Sequence, residues 1–95
     1  MKMYVVVRDD LTPSQKAVQA GHALAQYLKE HETEWSNGTL VYLKVKNKLD
    51  LSDLMIILDK HEMKHSKFIE PDLNNEPTAL ASIEGKKFFR NLELL

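Results

Sequence analysis

The chain has 95 residues, a formal net charge of -1, no cysteine, and hydrophobic and charged fractions of 43% and 28%. That size and composition fit one small globular domain over residues 1–95 and exclude a disordered chain, a disulfide scaffold, a thiolate metal site and a cysteine nucleophile. No apolar run approaches the roughly 20 residues of a membrane span, and the near-zero charge leaves any polyanion binding to a local basic patch.

Met3 to Val7 is rich in valine and nearly continuous in apolar residues, which predicts a strand buried on both faces. The run is too short for the core of a secretion signal and meets Arg8 and two acids at once, so it reads as a strand, and the absence of cysteine fits a cytoplasmic protein. Next comes a helix start. Thr12 suits the N-cap, Pro13 the first helical position, and Gln15 can close a capping box onto Thr12. The helix runs to about His31, with an apolar stripe of Ala17, Ala20, Gly21, Leu24 and Leu28. The opposite face, Gln15, Gln19, His22 and Gln26, is polar but carries no charge. Such a face is expected under a cover of protein, RNA or both, where an isolated charge would be costly.

Ser36 to Gly38 reads as a turn. Leu40 to Val45 alternates as a strand, with Val41, Leu43 and Val45 on one face and Tyr42, Lys44 and Lys46 on the other. Asp50 or Ser52 caps a second helix that runs to about Met63. Lys67 to Glu70 forms a third strand, EPDLNNEP a loop, Thr78 to Ile83 a fourth strand, and Lys86 to Leu94 a short final helix. The order β-α-β-α-β-β-α predicts an α/β class: a single-domain three-layer α/β/α fold with a mixed four-stranded sheet. The first two strands are expected parallel across a right-handed crossover, the last two antiparallel.

His61 to His65, HEMKH, satisfies H-E-x-x-H. On a helix it would set two imidazoles one turn apart for zinc, with the glutamate as base. The helical pattern fades near Met63, however, and Lys64-His65-Ser66 reads as the turn into the third strand. A third ligand would have to be an acid such as Glu84 or Glu93. Exposed polar residues at a helix end are the expected reading, and no metal is expected.

VVVRDDL followed by Q-K-A-V-Q-A-G-H-A is similar to the signature of the type II peptidyl-tRNA hydrolases, on Arg8, Asp10, Leu11, Ala17, Gln19, His22 and Ala23. The resemblance continues through TLVYLKVKN and into HSKFIEPD and TALASI, about residues 3 to 83. It implies hydrolysis, without a cofactor, of the ester joining a nascent peptide to the tRNA 3′ end. It further implies tRNA as partner, no membrane, and a homodimer, since members of the family often look dimeric. Counted back from His22, the family's Gly-Lys falls on Ser14-Gln15, so a neutral amide stands in place of the lysine, and Lys16 lies about 100° further round the helix. The family's acid falls on Glu70 or Asp72, with Asp72 favoured, and its hydroxyl partner on Thr78.

The resemblance thus implies Gln15, His22, Asp72 and Thr78 as catalytic residues and Arg8, Ser14, Lys16, Gln19, Lys44 and Lys46 as substrate contacts. Each has a plainer reading beside it. Gln15 completes a capping box, Gln19 and His22 are buried and hydrogen-bonded, Asp72 starts a turn, and the lysines form a solvated edge. Trp35 and Tyr42 either stack on a terminal base or pack, with packing expected. The alternative functions are a tRNA-binding or interaction protein of the same fold without turnover, and a zinc peptidase using His61, Glu62 and His65.

Overall fold

The computed structural model of the protein describes residues 1–95. The elements run β1 (Lys2–Arg8), α1 (Pro13–Glu30), β2 (Thr39–Val45), α2 (Lys48–Lys60), β3 (Ser66–Glu70), a 3-10 turn (Pro71–Leu73), β4 (Glu76–Ser82), α3 (Lys86–Phe89) and β5 (Glu93–Leu94). The sheet order is β3-β4-β1-β2-β5. β1 and β2 are parallel, whereas β4 is antiparallel to both β1 and β3. This is the expected mixed α/β sheet, with five strands rather than four. The fifth arises where a final helix through Leu94 was expected. That helix closes after Phe89, and Glu93–Leu94 pairs with Lys44 and Leu43 along the outer edge of β2.

β1 is central, so both its faces are covered. Met3, Val5 and Val7 pack with Ala20, Ala23 and Tyr27 of α1, while Tyr4 and Val6 pack with Leu51, Leu54, Met55 and Leu58 of α2. That double burial is why β1 reads as a continuous apolar run. Phe89 of α3 joins the α2 side. Gly85 permits this: a Cβ there would lie 2.5 Å from the Phe89 ring.

α1 starts as expected. The Gln15 N–H donates to Thr12 Oγ1 and the Thr12 N–H to Gln15 Oε1, a complete capping box. Its buried side, however, is rotated from the expected stripe. Gln19, Ala20, Ala23 and Tyr27 are buried, whereas Ala17, Gly21 and Leu28 are exposed. The helix lies mainly on β4 and β3 as well as β1. The small alanines of β4 allow that approach, and a glutamine on the inner face is tolerated because partners meet it there.

α2 is capped by Asn47, whose Oδ1 accepts from the Asp50 N–H, rather than by Asp50 or Ser52. It ends at Lys60, with His61 as C-cap and Glu62 at φ 55°, in the left-handed region. This ends the helical reading of HEMKH. His61 tilts against Phe88, with ring centroids 5.0 Å apart. His65 lies beyond the turn, with Nδ1 2.6 Å from the Met63 carbonyl. The two imidazoles do not share a helix face, so a zinc peptidase is not supported.

Candidate active site

The start of α1 and the loop after β3 meet at one rim of the sheet. A cavity of about 360 Å3 lies there, lined by Ser14, Gln15, Val18, Gln19, Glu70, Asp72 and Leu73. β3 delivers Glu70 to the cavity, and the 3-10 turn that follows carries Asp72 exposed. Asn74 and Asn75, both at φ 56°, reverse the chain into β4. Asparagine tolerates that left-handed backbone better than most residues.

Thr78 reaches the same site through a β-bulge. Phe68 pairs with Ala79 but Ile69 with Pro77, so Thr78 is the extra residue on β4. Pro77 has no N–H to continue the ladder, which suits this break. Simple alternation would place Thr78 on the α2 side with Leu80. Instead, its hydroxyl donates to Gln19 Oε1 at 2.6 Å, fully buried. Re-aiming one side chain is a common role of a bulge beside a functional site. Gln19 Nε2 in turn donates to Glu70 Oε1 at 2.9 Å. Thr78, Gln19 and Glu70 thus form one ordered relay from the sheet interior to the cavity wall. The amide of Gln19 is fixed by it, oxygen toward Thr78 and nitrogen toward Glu70.

Donors at the helix start are few. Thr12 and Gln15 spend their N–H groups in the capping box and Pro13 has none, so Ser14 retains the N–H available at the cavity. Glu70 and Asp72 line the cavity with no cation among its walls. Gln15 is engaged as the capping residue.

The other expected site residues lie around this cavity rather than in it. His22 is exposed and stacks on Phe68 at 4.5 Å. Lys16 Nζ donates to Asp9 Oδ1 at 2.6 Å, which holds the Asp9 carboxyl below its usual range. Lys44 reaches the other oxygen of Asp9 at 3.6 Å. Lys46 is exposed, and with Lys44 it lines a second cavity on the far side of Asp9. Arg8 is buried with its fork occupied. Nε and Nη2 donate to Asp10 at 2.9 Å each, and Nη1 donates to Glu76 at 2.8 Å and to the Pro77 carbonyl at 3.3 Å. Its guanidinium holds both Asp10 and Glu76 below the usual carboxylate range. Trp35 is buried, with Nε1 donating to the Thr39 carbonyl, and Tyr42 is half-buried beside it, so both pack.

Sequence reasoning missed Asp9 and Glu76 as partners of Lys16 and Arg8. No periodic signal links them, because one pair closes a loop and the other spans 68 positions.

A model of the family described as peptidyl-tRNA hydrolase PTH2 matches residues 1–84. The chain belongs to that family. Membership assigns it the hydrolysis of peptidyl-tRNA, a function in translation. No curated protein sequence matches the chain. Among solved structures, a protein of unknown function from Agrobacterium tumefaciens strain C58 is similar in fold. It has a TM-score of 0.74 at 14% identity, over 99% of this chain and 96% of that one. The peptidyl-tRNA hydrolase match ends one residue before Gly85, so α3 and β5 lie outside it.

Proposed function

We propose that the ester of peptidyl-tRNA is cleaved in the cavity between Ser14 and Asp72. What supports this is that Ser14, Gln15, Gln19, Glu70 and Asp72 line one cavity at the rim of the sheet, with Thr78 bonded to Gln19 behind it, the residues on which the resemblance had placed the site. Exposed Asp72 takes a proton from a water, whose oxygen attacks the ester carbonyl. Glu70 is the second carboxylate at hand, with one oxygen held by Gln19. The Ser14 N–H and hydroxyl face the developing oxyanion, aided by the positive end of α1. Collapse breaks the bond to the ribose oxygen, which takes up the proton. The products are a free peptide acid and tRNA with a free 3′ hydroxyl.

Lys16 flanks this entry, and tRNA phosphate would compete with Asp9 for it. Binding supported by few cations predicts a shallow dependence on salt. A substrate made by the ribosome fits a cytoplasmic setting. The exposed face of α1 that carries Ala17, Gly21 and Leu28 is the surface we assign to a second copy of the chain. Sedimentation across a concentration series tests that assignment, and a monomer at every concentration refutes it.

The decisive experiment measures release of a labelled peptide from a model peptidyl-tRNA. The wild type turns over, and Asp72→Ala loses about a hundredfold or more, the contribution typical of a positioned general base. If wild type and Asp72→Ala are both inert while tRNA still binds, the chain is a binding protein. If Glu70→Ala is inert and Asp72→Ala active, Glu70 is the base.

A further inference from the structure

The helical layer over the sheet has a gap above β2. α2 packs on β4 and β1, while the C-terminal segment returns beyond β2 and pairs along its outer edge. Between them lies a groove of about 550 Å3, within the range of small-ligand and peptide side-chain pockets. Val45, Leu54, Ile57 and Leu92 make it apolar inside. One face of α2 supplies a whole wall, because Asp50, Asp53, Leu54 and Ile57 recur at i, i+3, i+4 and i+7.

Charge decides what the groove accepts. Lys44 is shared between Asp9 and Glu93 across the wall. That leaves the exposed carboxylates of Asp50 and Asp53 against the single ammonium of Lys46, a surplus of negative charge at an apolar slot. An occupant that fits pairs an apolar side chain with a cationic one. Asp9 also ties this groove to the candidate active site. It lines the groove while its carboxylate holds Lys16, the neighbour of Gln15 on α1. Asn91, Leu92 and Glu93, which form the outer wall, lie beyond the residues that match the family.

From this geometry we infer that the groove seats the peptide part of the substrate, and that the chain favours peptidyl-tRNAs whose peptide sets a basic residue beside an apolar one. The inference rests on the hydrolase reading above. Asp50 and Asp53 are specificity residues here and take no part in the chemistry.

Two measurements test it. The first is a titration of the isotope-labelled protein with acetyl-Leu-Arg-amide and acetyl-Leu-Glu-amide, followed by NMR. The basic peptide is expected to shift the signals of Leu54, Ile57 and Leu92, and the acidic one to leave them in place. The second compares kcat/KM on peptidyl-tRNAs carrying the same two sequences. The wild type is expected to prefer the basic peptide by about fivefold, the scale of one or two exposed charge pairs. Asp50→Asn with Asp53→Asn is expected to erase the preference and to remove the NMR shifts caused by the basic peptide. Equal shifts with both peptides, shifts with neither, or equal kcat/KM overturns the groove assignment and leaves the hydrolase reading standing. If the basic peptide shifts the groove signals and no tRNA ester is cleaved, the hydrolase reading falls, and with it the nascent peptide as occupant.

Discussion

The hydrogen bond between Thr78 and Gln19 joins the fold to the site, and removing either end tests both. Thr78 is fully buried and Gln19 nearly so, and the bond between them is 2.6 Å long. Gln19→Leu keeps the bulk but strands the Thr78 hydroxyl, and an unsatisfied buried polar group costs about 1–3 kcal/mol. Thr78→Val strands Gln19 Oε1 instead, at a similar cost of about 1–2 kcal/mol. The double variant removes both polar ends and leaves two apolar groups in contact. Its loss is expected to fall short of the sum by about 1 kcal/mol or more, since contacting residues couple on that scale. In a domain of this size 1 kcal/mol moves Tm by about 4–8 °C, so the coupling is visible by calorimetry and urea unfolding. Turnover separates the two roles. Each single variant is expected to lose at least about tenfold in kcat/KM, about 1.4 kcal/mol of transition-state stabilisation, because Glu70 loses its orienting donor or the relay its anchor. The double variant recovers part of the lost stability but no activity. Additive stability losses would refute the bond as the coupling element. Full activity in Gln19→Leu would remove the relay from the site.

Gln15→Lys replaces the capping amide with a cation facing Glu70 and Asp72. Peptidyl-tRNA turnover is expected to rise about tenfold, while Tm falls by a few degrees from the lost capping-box bond of roughly 0.5–1 kcal/mol; unchanged turnover would show that Gln15 already meets the site's need. Arg8→Met frees the Asp10 and Glu76 carboxylates and the Pro77 carbonyl, and should cost about 2 kcal/mol in urea unfolding, below the figure for a fully buried pair because both acids are partly exposed. Asp9, Asp10, Glu30 and Glu76 are all held below their usual values in the fold. Their contribution is therefore complete above the unfolded carboxylate range and is lost as pH falls through the lowered values. Stability is expected to be flat near neutrality and to drop below about pH 4, less steeply in Arg8→Met than in the wild type. Gly85→Ala would press a methyl group into the buried Phe89 ring. It should cost about 1–3 kcal/mol, read as a lower Tm.

Local chemistry made much of this protein legible before any fold. The valine run of β1 and the capping box at Thr12 and Gln15 follow from steric and hydrogen-bonding rules that act within a few residues, and the parallel β1–β2 pair from the handedness of a crossover. The motif also carried the family, because its residues sit at fixed intervals along the end of β1, the turn after it and one helix. What escaped depends on contacts made between distant segments. The inner face of α1 rotates to include Gln19 because β3 and β4 offer it Glu70 and Thr78. No window centred on the helix contains either partner. Thr78 reaches Gln19 only through a bulge set by how β3 pairs with β4, and strand alternation alone puts it on the wrong face. HEMKH loses its helix at Glu62, where the backbone turns left-handed toward β3. The final segment closes after Phe89 because Gly85 lets that ring into the core and β2 has an open edge for Glu93 and Leu94. Sequence determined the pieces and which of them carry the residues found at the rim. The tertiary structure decided which side chains meet there, since burial and pairing are settled only once the sheet is assembled.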